Sequence, residues 1–187
     1  MKYKDQSLVK YLDDLAARIS APGGGSAAAL SAAMGASLVS MVVNFTLGND
    51  RYAKFTKELR IILVKSEKLR KQFLELVDLD AAAYQSKDAK KALMVPLKLA
   101  QLSLQAAKLC PVLVKKGNVN LISDVAVAAI FLESAFASAG FNVEINLKTL
   151  ADLRFYQKTR KELNRMYKTI FKIRKNTEAA VGKIIRR

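Results

Sequence analysis

From Ile19 to Asn49 the chain carries no charged side chain. A stretch this long either crosses a bilayer or is covered by other elements of the fold. Its central part, Ala27 to Phe45, is long enough to span a membrane as a helix. The composition argues for burial instead: Ala, Ser and Gly outweigh Leu, Ile and Phe, and no aromatic belts flank the run. Small residues recur at four-residue intervals, with Ala27, Ser31 and Gly35 in one row and Ala28, Ala32, Ala36 and Ser40 in another. Such rows let a neighbouring helix approach closely. The reading is a central soluble helix from Ser26 to about Leu47.

The remaining pattern is almost wholly helical, which gives an all-α fold. The chain has 187 residues, 51% of them hydrophobic, enough for one domain with a substantial core. That domain covers 1–187, with 154–187 as a basic C-terminal helical extension. Leu8, Tyr11, Leu12, Leu15 and Ile19 share one helical face, and Ser7 can cap it. Tyr52 to about Tyr84 reads as a long helix, and Gln85 to Lys91 as a short polar piece. Ala92 to Val114 is the next helix, with Pro96 and Pro111 as irregularities. Asn120 to Ser138 follows; Gly140 is read as its break and Phe141 to Leu147 as an extended piece. Thr149 to Arg187 is one or two helices, with Leu163, Met166, Ile170 and Ile173 as a packing seam.

Composition also narrows the chemistry. A single cysteine, Cys110, excludes an intrachain disulfide framework and suits a reducing compartment. Met1 to Arg18 has no secretory pattern, so the expectation is a cytoplasmic protein. Without histidine, a transition-metal site is not expected. The net charge is +16, and Arg154 to Arg187 alone holds 12 Lys or Arg against 2 Glu. That segment reads either as a solvated face or as a surface for nucleic acid or anionic membrane.

Three constellations can carry chemistry. Pro22-Gly23-Gly24-Gly25-Ser26 leads directly into a helix, where free N–H groups suit an anion and glycines admit close approach; the alternative is a turn with Ser26 as its cap. Asn118, Asn120, Ser123 and Asp124 sit where a second turn enters a helix. Ordinary capping by Asn120, with Asp124 complementing the dipole, is the competing reading. Asp80 and Tyr84 lie one helical turn apart among alanines, where a carboxylate can gain a raised pKa and act as acid or base; a solvated helix edge is the other possibility.

The order of these pieces resembles the cyclodeaminase/cyclohydrolase family, which includes the cyclodeaminase domain of formiminotransferase-cyclodeaminase and free-standing methenyltetrahydrofolate cyclohydrolases. The resemblance rests on four segments: Ala21 to Leu30 with Met34 to Val42, then Asp80 to Tyr84, Gly117 to Asp124, and Asn142 to Leu147. It implies an orthogonal helical bundle that forms a homodimer. It implies a tetrahydrofolate derivative as substrate, with no permanently bound cofactor and no metal. The expected reaction is either closure of formiminotetrahydrofolate with release of ammonia or interconversion of the methenyl and 10-formyl forms. The alternative is a non-catalytic dimeric homologue that binds an anionic partner through the basic helix. Asp124 and Asp80 become the acid–base candidates, Asp124 first. Asn118, Asn120 and Ser123 are expected to hold the pterin or a water, and Gly23, Gly24, Gly25, Ser26 and Tyr84 to line the substrate. One departure stands out. Only Gln85 to Met94 separates the Asp80 segment from Val95-Pro96-Leu97, roughly twenty residues fewer than the family pattern.

Overall fold

Seven α-helices make up the computed structural model, which describes residues 2–86, 88–149 and 152–186. Ser7 caps the first: its hydroxyl accepts from the Lys10 N–H at 3.1 Å, and α1 runs Leu8–Ala16. The uncharged stretch becomes α2, Gly24–Thr46. A short 3-10 turn, Asp50–Phe55, leads into α3, Thr56–Ser86. The Asp88 carboxylate accepts from the Lys90 and Lys91 N–H groups and starts α4, Ala89–Ala107, so the polar piece expected at 85–91 is divided between the ends of two helices, with Lys87 outside the described residues.

α2 is central because its surface is so small. Ala29, Ala32, Ala36, Val39, Val42 and Val43 are fully excluded from water. α3 runs antiparallel along one side, where the Ser40 and Ser66 hydroxyls pair at 2.8 Å. Running antiparallel on another side is α6, Ile122–Lys148. The Ser31 hydroxyl there donates to the Phe131 carbonyl at 3.3 Å, and Gly35 faces Leu132 and the Ala128 carbonyl.

The two prolines behave differently. Pro111 sits in the first turn of α5, Cys110–Lys116, where its missing N–H is harmless. Pro96 lies inside α4, where it frees the Ala92 carbonyl. Asn146 answers that vacancy, its side-chain amide donating to the Ala92 carbonyl at 2.6 Å. Asn146 itself belongs to a helix, and the extended piece expected at 141–147 is absent. α6 passes straight through Gly140, because Val143 and Leu147 continue the buried stripe of Leu132, Phe136 and Ala139. A mid-helix glycine costs only about 1 kcal/mol, less than that burial returns.

The C-terminal segment is one helix, α7, Leu153–Ile185, with Asp152 accepting from the Phe155 N–H at its start. Leu163, Met166 and Ile170 are buried as the seam predicts; Ile173 is half-buried, and the seam continues through Thr177 and Val181. α7 packs on α4, α5 and α6. Gly24–Thr46, Ala89–Lys116 and Val119–Lys148 are each long and apolar enough to cross a membrane. Here all three feed one shared hydrophobic cluster.

Two glycine substitutions separate close approach from helix propensity. A Cβ at Gly35 would lie 2.8 Å from Leu132 Cγ and 3.2 Å from the Ala128 carbonyl oxygen. Gly35→Val is therefore expected to destabilise the fold by about 1–3 kcal/mol through overpacking. Gly140 has open space around it, so Gly140→Ala is expected to stabilise by roughly 0.5–1 kcal/mol. Urea denaturation of both variants checks the pair of signs.

Candidate functional site

The antiparallel packing of α3 on α2 brings the end of one helix to the beginning of the other. Asp80, near the end of α3, meets the first turn of α2 at Gly25, with Gly23 as the N-cap of that helix and Ser26 inside it. The approach is so tight that a Cβ on Gly25 would fall within 2.7 Å of three Asp80 carboxyl atoms. Here the glycine is required for space. Burial pushes the Asp80 carboxyl above the ordinary aspartate range, with the Ser26 backbone N–H pulling the other way.

The N-terminal segment holds this contact in place. The Tyr11 and Ser26 hydroxyls pair at 3.1 Å in a fully buried position, and burial raises the Tyr11 phenol. The Tyr3 and Tyr11 rings meet edge to face, 5.6 Å between centroids. The Tyr3 hydroxyl lies 3.0 Å from the Ala21 carbonyl oxygen and 3.1 Å from the Asp14 carboxylate, while its N–H donates to Asp78 on α3 at 2.6 Å. The strand of chain before the glycine turn is thus clamped to the helix that carries Asp80. Sequence reasoning counted Tyr11 as one more apolar position on α1 and passed over Tyr3. Their hydroxyl partners lie far along the chain, so no local spacing marks them.

Of the other residues singled out, Gly23 and Gly24 have no neighbour within reach of a Cβ, leaving the start of the turn open. Tyr84 lies one turn beyond Asp80 and is 67% exposed.

The second cluster sits at the opposite end of α2. Gly117 packs closely on the Leu113 carbonyl and Val42. The Asn118 N–H donates to the Thr46 hydroxyl at 2.9 Å and its side-chain amide to the Phe45 carbonyl at 3.3 Å. The Val119 N–H donates to the Tyr52 hydroxyl at 3.0 Å. Asn118, not Asn120, is the cap: its side-chain oxygen accepts from the Asn120 N–H at 3.0 Å, because a 3-10 turn, Val119–Leu121, precedes α6. Asn120 and Ser123 are exposed, and Asp124 is half-buried in the first turn of α6.

The structure therefore joins Asp80 to the glycine turn and joins Asn118 to the C-terminal end of α2, but it does not join the two groups. From Ser26 to Thr46 the helix rises about 30 Å. Surface recesses of about 810 Å³ on α7 and about 700 Å³ between α3 and α4 are lined by neither Asp80 nor Asp124.

Comparison with known proteins agrees with this architecture. A profile described as formiminotransferase-cyclodeaminase matches residues 7–87 and 85–165. The methenyltetrahydrofolate cyclohydrolase of Methylorubrum extorquens is 34% identical over 182 residues, covering 85% of this chain and 88% of that protein. The formimidoyltransferase-cyclodeaminase of Rattus norvegicus is 34% identical over 183 residues, 86% of this chain but 34% of the relative, so this chain spans about a third of that longer protein. The crystal structure of the formiminotetrahydrofolate cyclodeaminase of Thermotoga maritima superposes with a TM-score of 0.92 at 27% identity, covering 97% of this chain and 98% of that one. Coverage this complete includes α7, so the basic helix is part of the shared architecture. The two profile segments meet at 85–87, where the shortened connection lies, and the fold closes across it.

The raised Asp80 carboxyl makes a stability prediction with a definite sign. Between its unfolded and folded values the native state binds more protons, so this group's contribution to stability falls as pH rises through that interval. The unfolding free energy of Asp80→Asn relative to the parent is expected to increase with pH from the ordinary aspartate range upward. Chemical denaturation at a series of pH values measures it; a difference independent of pH contradicts the desolvation.

Proposed function

This chain belongs to the formiminotransferase-cyclodeaminase family, and from that premise we propose that it is a folate-dependent one-carbon enzyme, a formiminotetrahydrofolate cyclodeaminase or a methenyltetrahydrofolate cyclohydrolase. The names of its relatives include both activities, and the non-catalytic alternative draws no support from them. A cytoplasmic location belongs to the same reading.

The observation that carries the mechanism is the desolvated Asp80 carboxyl pressed against the glycine turn. In cyclodeamination N10 attacks the formimino carbon, a tetrahedral carbon forms, and the C–N bond to ammonia breaks. In the hydrolase direction water adds to the methenyl carbon and the C–N5 bond breaks. Each requires one proton to leave the attacking atom and one to reach the departing nitrogen. A carboxyl with a raised pKa is suited to both transfers, taking the first proton and returning the second. Gly23 and Gly24 leave the backbone open beside it, and the α2 N-terminus suits the negative end of a folate. Asp80→Asn is expected to lower kcat by about 10²–10⁴-fold in whichever reaction the protein performs, with little change in binding of 5-formyltetrahydrofolate. Undiminished turnover would remove Asp80 from the mechanism.

A further part of the reading concerns Asp124, Asn118, Asn120 and Ser123, which one protomer holds far from Asp80. The outer faces of α2 and α6 expose Met34, Phe45, Val127, Ile130, Phe141 and Ile145, with Phe45 at 64% and Phe141 at 74%. Such a face suits a second copy. A two-fold axis crossing the middle of α2 would set the Asp80 end of one protomer beside the Asn118–Asp124 end of its partner. Each site would then draw Asp80 from one chain and Asp124 from the other. Complementation tests this: Asp80→Asn and Asp124→Ala proteins, each inactive alone, are expected to recover about a quarter of parental activity when refolded together in equal amounts, since half of the dimers carry one intact site. A mixture as inactive as its components would place both residues in a single protomer's site or remove one of them.

A further inference from the structure

α7 has two chemically opposite sides. Thr159, Leu163, Met166, Ile170, Thr177 and Val181 face the bundle and are buried. Arg154, Lys158, Lys161, Arg165, Lys168, Lys172 and Lys175 follow one another at alternating steps of four and three, and all seven are exposed. At 3.6 residues per turn these seven fall in a sector roughly 100° wide, opposite the buried seam, and form a straight row about 32 Å long.

The row is not neutralised. α7 contains two acidic residues, Glu162 and Glu178, and Glu178 pairs with Arg174 off the row. Among the described residues no ion pair takes up any of the seven cations. Like charges one turn apart weaken a helix, so the row stands against the helix's own stability. The proposed one-carbon chemistry makes no use of it.

The side chains between the cations say what the row fits. Gln157, Asn164, Thr169 and Asn176 lie in the sector or within about 20° of it, whereas the exposed Leu153, Phe155, Tyr167 and Phe171 fall about 40° or more beyond its edges. A helix that settles on a bilayer presents apolar residues to the lipid; α7 has its apolar seam docked in its own bundle. The sector itself presents a line of cations flanked by amide and hydroxyl donors. That is the complement of a phosphodiester backbone, where cations neutralise phosphates and neutral donors reach phosphate and sugar oxygens. The length of the row is close to one turn of a duplex. We propose that the outer face of α7 is a sequence-independent docking surface for the backbone of nucleic acid.

Fluorescence anisotropy of the full-length protein with labelled duplex DNA of about 30 base pairs tests this. The parent is expected to bind with an affinity that falls on the order of 10²–10³-fold between 50 and 200 mM salt, as about five phosphate contacts require. Lys158→Gln/Lys161→Gln/Arg165→Gln/Lys168→Gln is expected to flatten the slope by about four contacts and abolish most of the binding. Lys158→Arg/Lys161→Arg/Lys168→Arg is expected to keep it. The control removes the same charge elsewhere: Lys65→Gln/Lys68→Gln/Lys98→Gln/Lys108→Gln strips the groove between α3 and α4 and is expected to leave affinity within about threefold. Helicity by circular dichroism and one-carbon turnover of the row variant should match the parent. No salt-dependent binding by the parent overturns the proposal. So do equal losses in both glutamine variants, which would make the effect one of net charge, and row-dependent binding to phosphatidylserine vesicles without binding to DNA.

Discussion

The closeness with which α3 and α6 approach α2 is the constraint on which the rest of this bundle depends. Side chains no larger than alanine along much of α2 bring the neighbouring backbones near, so that a serine on α2 reaches a carbonyl on α6 and another reaches a hydroxyl on α3. Each small residue buries little area, and the stabilisation comes from many dispersion contacts at short range. Polar groups inside such a contact must be paired. The Thr46 hydroxyl shows how: it donates to the Val42 carbonyl at 2.6 Å and accepts from the Asn118 N–H. The same tightness places the two loops at the two ends of α2 with little freedom.

At the N-terminal end that tightness becomes chemistry. A carboxylate next to a helix start is ordinarily favoured in its charged form. Asp80 is raised nonetheless, because the surroundings that press it against Gly25 also shield it from part of the solvent. The competition between dipole and desolvation is won by desolvation, which raises the proton affinity of the carboxyl. Tyr3 and Tyr11 matter to this contact through position: they tie the N-terminal segment to α3 at Asp78 and to the start of α2 at Ser26.

The reversal between α3 and α4 shows how the bundle tolerates a short connection. The Ser86 hydroxyl donates to the Ala83 carbonyl at 2.9 Å, closing one helix, and Asp88 opens the next. These caps serve the two helix ends without the longer segment of the family pattern. α7 extends the same economy, with one helix sealing the core on its inner side and carrying the row of cations on its outer side.

The sequence by itself determined the helical class, the central place of the uncharged helix, the seam of α7 and the identities of the residues gathered at each turn. These are legible because periodicity, small-residue rows and capping are local properties, readable within one or two turns. It also kept Asp80 and the glycine turn as candidates, though as separate ones. Only the tertiary structure decided that Asp80 presses on Gly25, that Tyr3 and Tyr11 brace them, that Asn118 and not Asn120 is the cap, and that α6 runs unbroken through Gly140. Each of these depends on a partner far away in the chain, such as Asn146 answering the carbonyl freed by Pro96. It also decided that Asp124 stands at the far end of α2 from Asp80, since antiparallel packing fixes which helix ends meet and local pattern carries no record of direction.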